Sequence, residues 1–121
     1  MILLDASVWI DHLRRSEPRL VGMLSEGDIL IHPFVTAEVA LGSIARRDTV
    51  IAVLDALPQA PVATHGEVMR LIEHERLHGL GIGYVDAHLL ASARLADAGL
   101  WSRDRRLLAA AERLGVAAEV T

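Results

Sequence analysis

The sequence has no cysteine, no lysine and no long apolar run, and each absence removes a class of function. Without cysteine there is no disulfide framework, thiolate metal site or cysteine nucleophile, and a cytoplasmic location is expected. All twelve Lys+Arg residues are arginine. That excludes Walker-type phosphate loops and phospho-receiver sites of the usual kind, both of which need a lysine. Arginine alone still suits phosphate, because its planar fork binds phosphate oxygens in pairs. No apolar stretch approaches the ~18 residues that would suggest a membrane helix. Met1 runs straight into an apolar segment with no basic leader, so no signal peptide and no membrane partner are expected. The length of 121 residues suits one domain spanning 1–121. The net charge of −4 argues against a general nucleic-acid coat protein. It does not exclude a nuclease, since bound cations cancel charge where a substrate phosphate sits.

What is present begins with Ile2-Leu3-Leu4, a short apolar run ended by Asp5. Such a run reads as a strand buried on both faces, as in a parallel sheet. A helix over Ser7–Arg15 follows, then a second opened by Pro18, running to about Ser25 and stopped at Gly27. Asp28–Ile31 reads as a strand. Thr36 is the expected N-cap of a helix to Arg47, which places Glu38 in its first turn. Asp48 or Thr49 caps a further helix to Leu57. After Pro58 and Pro61, Val62-Ala63 is a candidate vestigial strand. His65–His78 reads as a helix ended by Gly79, and Val85–Ala98 as a long helix ended by Gly99, with Asp86 in its first turn. Leu100–Ser102 is a strand, a last helix runs to Leu114 and stops at Gly115, and Val116–Val120 is a final strand. Strands alternating with helices predict an α/β fold with a mostly parallel sheet and helices on both faces.

Asp5, Glu38, Asp86 and Asp104 each fall just past a strand or in a helix first turn, and so at one rim of the sheet. Taken singly, Glu38, Asp86 and Asp104 need be no more than acids that complement helix N-termini. Asp5 is harder to dismiss, because an acid ending a buried strand needs a partner or loses its charge. As a set, four acids at one rim repel one another, and either arginine partners or bound cations relieve that. Hard oxygen donors without Cys or His suit Mg2+ or Mn2+. A site of this kind hydrolyses phosphodiesters by activating water and neutralising charge in the transition state.

The segments DASVWIDHL, TAEVALG, GIGYVDAHLLASA and WSRDRRLL resemble, in order and spacing, the PIN-domain ribonucleases. The likeness is strongest to the VapC toxins of bacterial toxin–antitoxin pairs, and it covers essentially the whole chain. It implies a three-layer α/β/α fold and a Mg2+- or Mn2+-dependent endoribonuclease acting on RNA, usually tRNA or ribosomal RNA. Asp5, Glu38, Asp86 and Asp104 match the family's metal-binding acids. Ser7 and Ser102 match hydroxyl positions that support the site. The resemblance also implies a homodimer and a cognate VapB-like antitoxin. Two departures stand out: Ser102 where threonine is commoner, and Arg105-Arg106-Leu107 where acidic or aromatic residues often follow. The second bears on whether a second metal binds.

Other features compete for attention. His74-Glu75-Arg76-Leu77-His78 matches the HExxH pattern of zinc proteases, but the third histidine of the longer motif is replaced by Tyr84, and the segment reads as a charged helix face. Arg14-Arg15, Arg46-Arg47 and Arg103 with Arg105-Arg106 are basic clusters, of which the last flanks Asp104, and some of its arginines are expected to hold RNA phosphates. Trp9 and Trp101 read as core or dimer anchors. His12, His32, His65 and His88 show no ligand spacing, and Asp11 reads as a solvated helix face. A non-catalytic PIN-like binding module, and a phosphoryl-transfer hydrolase with Asp5 as nucleophile, are the rival readings. The hydrolase usually has a second aspartate where this chain has Ser7.

Overall fold

Three strands too short to stand alone form the centre of the molecule, whose computed structural model describes residues 1–120. β1 (Ile2–Leu4) lies between β2 (Ile29–Leu30) and β3 (Gly99–Trp101), and all pairings are parallel. Leu3 pairs in register with Leu30 on one side and Leu100 on the other. Two single bridges widen the sheet, Ile31 to Gln59 beyond β2 and Leu100 to Ala117 beyond β3. Leu3, Leu4, Ile31 and Leu100 have no solvent exposure, as expected for parallel strands covered on both faces.

The helices are α1 (Ala6–Arg14), α2 (Pro18–Ser25), α3 (Pro33–Leu41), α4 (Arg47–Ala56), α5 (His65–Glu75), α6 (Tyr84–Ala96) and α7 (Arg105–Leu114). Because β2 and β3 flank β1 on opposite sides, right-handed crossovers send the connecting helices to opposite faces. Accordingly α1 packs on α3 and α3 on α4, while α5 packs on α6, and α6 and α7 pack against β3. The result is the expected three-layer arrangement. No described helix is long and apolar enough to cross a membrane.

Several boundaries differ from the sequence-based expectation, each for a local reason. α3 begins at Pro33 rather than Thr36, because His32 supplies the cap: its ring Nδ1 accepts from the N–H of Phe34 at 3.0 Å. Proline, pre-set for the first helical position, then extends the helix backwards. Glu38 therefore lies in the second turn of α3, not the first. α5 ends at Glu75, where Arg76 turns left-handed (φ 51°), and α6 ends at Ala96, where Asp97 does the same (φ 51°). Gly99 is not a helix stop. It opens β3, where an added Cβ would lie 2.8 Å from the Cα of Ala118, so only glycine lets the C-terminal segment pair. That segment makes one bridge at Ala117 rather than a strand over Val116–Val120, and the pairing expected at Val62-Ala63 falls at Gln59 instead.

The cap of α3 has a pH consequence. His32 is fully buried, its Nε2 has no hydrogen-bond partner among the described residues, and its ring lies 6.1 Å from that of His88. Burial, and then the His88 ring, hold His32 down to about 4, against 6.5 ordinarily. The unfolded chain thus takes up a proton near 6.5 that the folded ring resists. Stability from the neutral ring is complete above that pH and is lost as the pH falls toward 4. Denaturant titrations at pH 7 and pH 4 should show wild type losing up to ~3 kcal/mol more than His32→Gln. Equal losses in the two proteins would contradict this account.

Candidate metal centre

All four acids proposed from the sequence stand at the carboxyl edge of the sheet, and Asp5 is the most constrained. It follows β1 directly, is only 6% exposed, and is the N-cap of α1. Its backbone N–H donates to the Trp101 carbonyl at 3.1 Å, which ties the end of β1 to the end of β3. Two hydroxyls donate to its carboxylate, Ser7 Oγ to Oδ1 at 2.5 Å and Ser102 Oγ to Oδ2 at 2.6 Å. Each hydroxyl in turn accepts a backbone N–H from the loop after β3. Arg103 donates to Ser7 Oγ at 3.0 Å and Asp104 to Ser102 Oγ at 2.9 Å. With the acceptor side of each hydroxyl taken by an N–H, its single proton is left for Asp5.

Asp104 caps α7 through Oδ1, which accepts from the N–H groups of Arg106 (2.9 Å) and Leu107 (3.2 Å). Asp86 lies in the first turn of α6, and its Oδ2 accepts from the Gly83 N–H at 3.1 Å. The capping reading of these two residues is thus correct as far as it goes. It uses one oxygen of each. Asp86 Oδ1 and Asp104 Oδ2 make no hydrogen bond among the described residues.

Electrostatically the four acids are one group. Burial chiefly, and then the charges of Asp104 and Asp5, push Asp86 above the usual carboxylate range, against the lowering effect of the Gly83 N–H. Partial burial, then the charges of Asp86 and Asp5, push Glu38 up as well. Of the two remedies for such repulsion, arginine partners are not used. Among the described residues no ion pair involves Asp5, Glu38, Asp86 or Asp104. Nor are the acids drawn into a ready-made cage, for no three His, Asp or Glu side chains among the described residues stand close enough to hold an ion as they are. The donor set is nonetheless one a hard divalent cation fits: oxygen only, uncompensated in charge, with free carboxylate oxygens on Asp86 and Asp104.

The other sequence features fall into place around this edge. His74 and His78 do not share a helix, since α5 ends between them, and Glu75 is ion-paired to Arg94 at 3.1 Å. The zinc-protease geometry is therefore absent. Trp9 and Trp101 are buried. Arg106 lies along the Gly81 backbone, where a Cβ would meet its Cδ at 2.8 Å, and Gly81 adopts φ 76°. Arg103, one of the three arginines among which phosphate ligands are expected, is engaged elsewhere: its guanidinium pairs with Asp11 at 3.1 Å and Glu17 at 2.9 Å. Asp11 is accordingly a partner of Arg103 rather than part of a bare solvated face. Glu17 carried no signal in the sequence, because its partner lies in a loop near the other end of the chain.

The described fold and site can be set beside known proteins. The model of the PIN domain family matches residues 2–113. Ribonuclease VapC32 of Mycobacterium tuberculosis is 52% identical over 118 residues, covering 97% of this chain and 95% of that protein, in strain CDC 1551 / Oshkosh and equally in strain H37Rv.

Two stability measurements test the site as drawn. Asp86→Asn removes a charge that the fold opposes while keeping an acceptor for Gly83, so in chelator its unfolding midpoint should rise by a few degrees over wild type. Added Mn2+ should stabilise wild type and leave the variant unmoved; an unstabilised wild type would count against a cation site. Ser102→Ala strips a buried bridge between Asp5 and the Asp104 backbone, and denaturant titration should show a loss of about 1–3 kcal/mol. A loss within experimental error would mean the bridge is slack.

Proposed function

This chain belongs to the PIN-domain family, in its VapC-type branch, and on that premise we propose that it is a Mg2+- or Mn2+-dependent endoribonuclease and the toxin of a toxin–antitoxin pair. The observation that carries the proposal is the group of four carboxylates at one sheet edge, sharing one field with no arginine among their ion pairs in the described residues. The relative at 52% identity bears a ribonuclease name, which supports the same reading.

In this reading Asp5, Asp86 and Asp104 hold the cation, and Glu38 either joins them or orients the attacking water. A bound divalent cation would supply Lewis acidity and charge neutralisation at the scissile phosphate. Asp5 is held in orientation by the Ser7 and Ser102 hydroxyls. Burial and the charges of Asp86 and Asp5 push the Glu38 carboxyl up, which marks it as part of the same acidic group. Water adds to phosphorus as the P–O bond to the leaving nucleotide breaks; the proton that water loses passes to solvent, and the leaving oxygen takes one from solvent. Arg105 and Arg106 follow Asp104 and make no ion pair among the described residues, so they are assigned to the RNA phosphates. The resemblance to VapC toxins further supports a tRNA or ribosomal RNA substrate, a cognate VapB-like antitoxin, homodimerisation and a cytoplasmic location for a single domain. A single-stranded or loop segment is the expected target, since duplex RNA hides its base edges.

The decisive test is cleavage of a total RNA pool with Mg2+ or Mn2+ and then with chelator. Wild type should cut only with metal, and Asp86→Asn should lose at least ~100-fold, the scale of losing a group that stabilises transition-state charge. Metal-independent cleavage, or full activity in Asp86→Asn, would reject the assignment. Arg105→Ala with Arg106→Ala should weaken RNA binding and reduce its dependence on salt by up to about two counterions' worth; unchanged binding would remove both arginines from the substrate path.

A further inference from the structure

We propose that Arg103 is a positioning residue for the carboxylate centre, clamping the loop between β3 and α7 onto α1 and the turn that follows it so that Asp5 and Asp104 keep their places. The inference rests on reading the acidic edge as a metal centre, and it assigns Arg103 a role other than binding substrate phosphate.

Arg103 stands between Ser102, whose hydroxyl donates to Asp5, and Asp104. Its backbone and its side chain hold the loop at two separate points. Inside, its N–H donates to Ser7 Oγ at 3.0 Å, and Ser7 Oγ donates to Asp5. Outside, its Nε meets Asp11 Oδ2 at 3.1 Å and its Nη2 meets Glu17 Oε2 at 2.9 Å. The guanidinium also lies over the Trp101 ring, 5.9 Å from its centroid, in reach of a cation–π attraction. Glu17 is itself anchored. It takes Arg19 Nε on Oε1 at 2.8 Å, and its backbone N–H donates to His12 Nδ1 at 3.0 Å. Arg19 also lies over the Trp101 ring, 5.1 Å from its centroid. Glu17 is held down to about 2, by Arg19 first and with help from Arg103, so its side of the clamp remains charged at any pH of interest.

The geometry makes the guanidinium a poor phosphate ligand and a good brace. Two carboxylates already occupy its Nε and one Nη, and an incoming phosphate would have to displace them. Release of the side chain would free the loop at its outer point and leave the Arg103 N–H alone to orient Ser7. Asp5 would then lose the fixed donor on Oδ1, and the loop would no longer hold Asp104 in register with it. Supporting residues that orient a metal's ligands typically affect affinity by 10–100-fold.

The experiment is Mn2+ calorimetry together with steady-state RNA cleavage on the full chain, for wild type, Arg103→Ala, Arg103→Lys, Glu17→Gln and the double variant Arg103→Ala with Glu17→Gln. We expect Mn2+ affinity to fall about 10-fold in Arg103→Ala and by several-fold in Glu17→Gln. The double variant should be no worse than Arg103→Ala, because both changes open the same clamp. Arg103→Lys, which keeps one of the two ion pairs, should recover part of the loss. In each case kcat should drop while KM for RNA and the salt dependence stay put. Glu17→Gln is the sharpest arm and does not depend on Arg103→Ala folding. If Arg103 were a phosphate ligand, releasing it from Glu17 would tighten RNA binding. A higher KM and a flatter salt dependence in Arg103→Ala with unaltered Mn2+ affinity, or tighter RNA binding in Glu17→Gln, would overturn the proposal alone. Wild type that neither binds Mn2+ nor cleaves RNA would overturn the metal-centre reading and this inference with it.

Discussion

Everything at the carboxyl edge of this sheet depends on one buried carboxylate receiving two hydroxyl protons. Asp5 ends the central strand, so it cannot move without disturbing the pairing of β1 with β3 through its own N–H and the Trp101 carbonyl. Ser7 comes from the first turn of α1 and Ser102 from the end of β3, and both converge on it. Since each serine also accepts an N–H from the loop that carries Asp104, the position of the second acid is set by the first. A side chain that would be costly to bury alone becomes the point to which three segments are fastened.

The remaining acids meet at this edge against their own repulsion. Asp86 feels the charges of both Asp5 and Asp104, and Glu38 those of Asp86 and Asp5. A protein selected only for stability would have neutralised such a group. Instead Arg103 is turned outward to Asp11 and Glu17, and Arg94 to Glu75. On the proposed reading that uncompensated charge is the cost of a cation site, and it is why function and stability are expected to pull in opposite directions at Asp86.

Much of this was legible in the sequence because local grammar and function coincide. An apolar run broken by an acid, followed by a helix, fixes Asp5 at a strand end, and WSRD repeats the pattern for Ser102 and Asp104. The parallel α/β order follows from alternation alone. What was hidden is tertiary. The start of α3, and hence the turn that bears Glu38, depends on a histidine acting as a cap, which is an uncommon choice. Gly99 looked like a helix stop, yet its purpose is a close approach by Ala118. Arg103 looked like a phosphate contact because it adjoins Asp104. Its true partner Glu17 lies 86 residues away, and no spacing rule connects them. The HExxH pattern failed for the opposite reason: the sequence spacing is right, but Arg76 ends the helix inside it.

The measurement that tests the central claim most directly is anomalous diffraction from crystals of the protein soaked in Mn2+, collected for wild type and for Asp86→Asn. The account predicts a manganese peak at the carboxyl edge of the sheet, bonded to oxygens of Asp5, Asp86 and Asp104 and lost in the variant. A peak elsewhere, such as beside His74 or His78, or no peak at this edge at a concentration that supports cleavage, would contradict it.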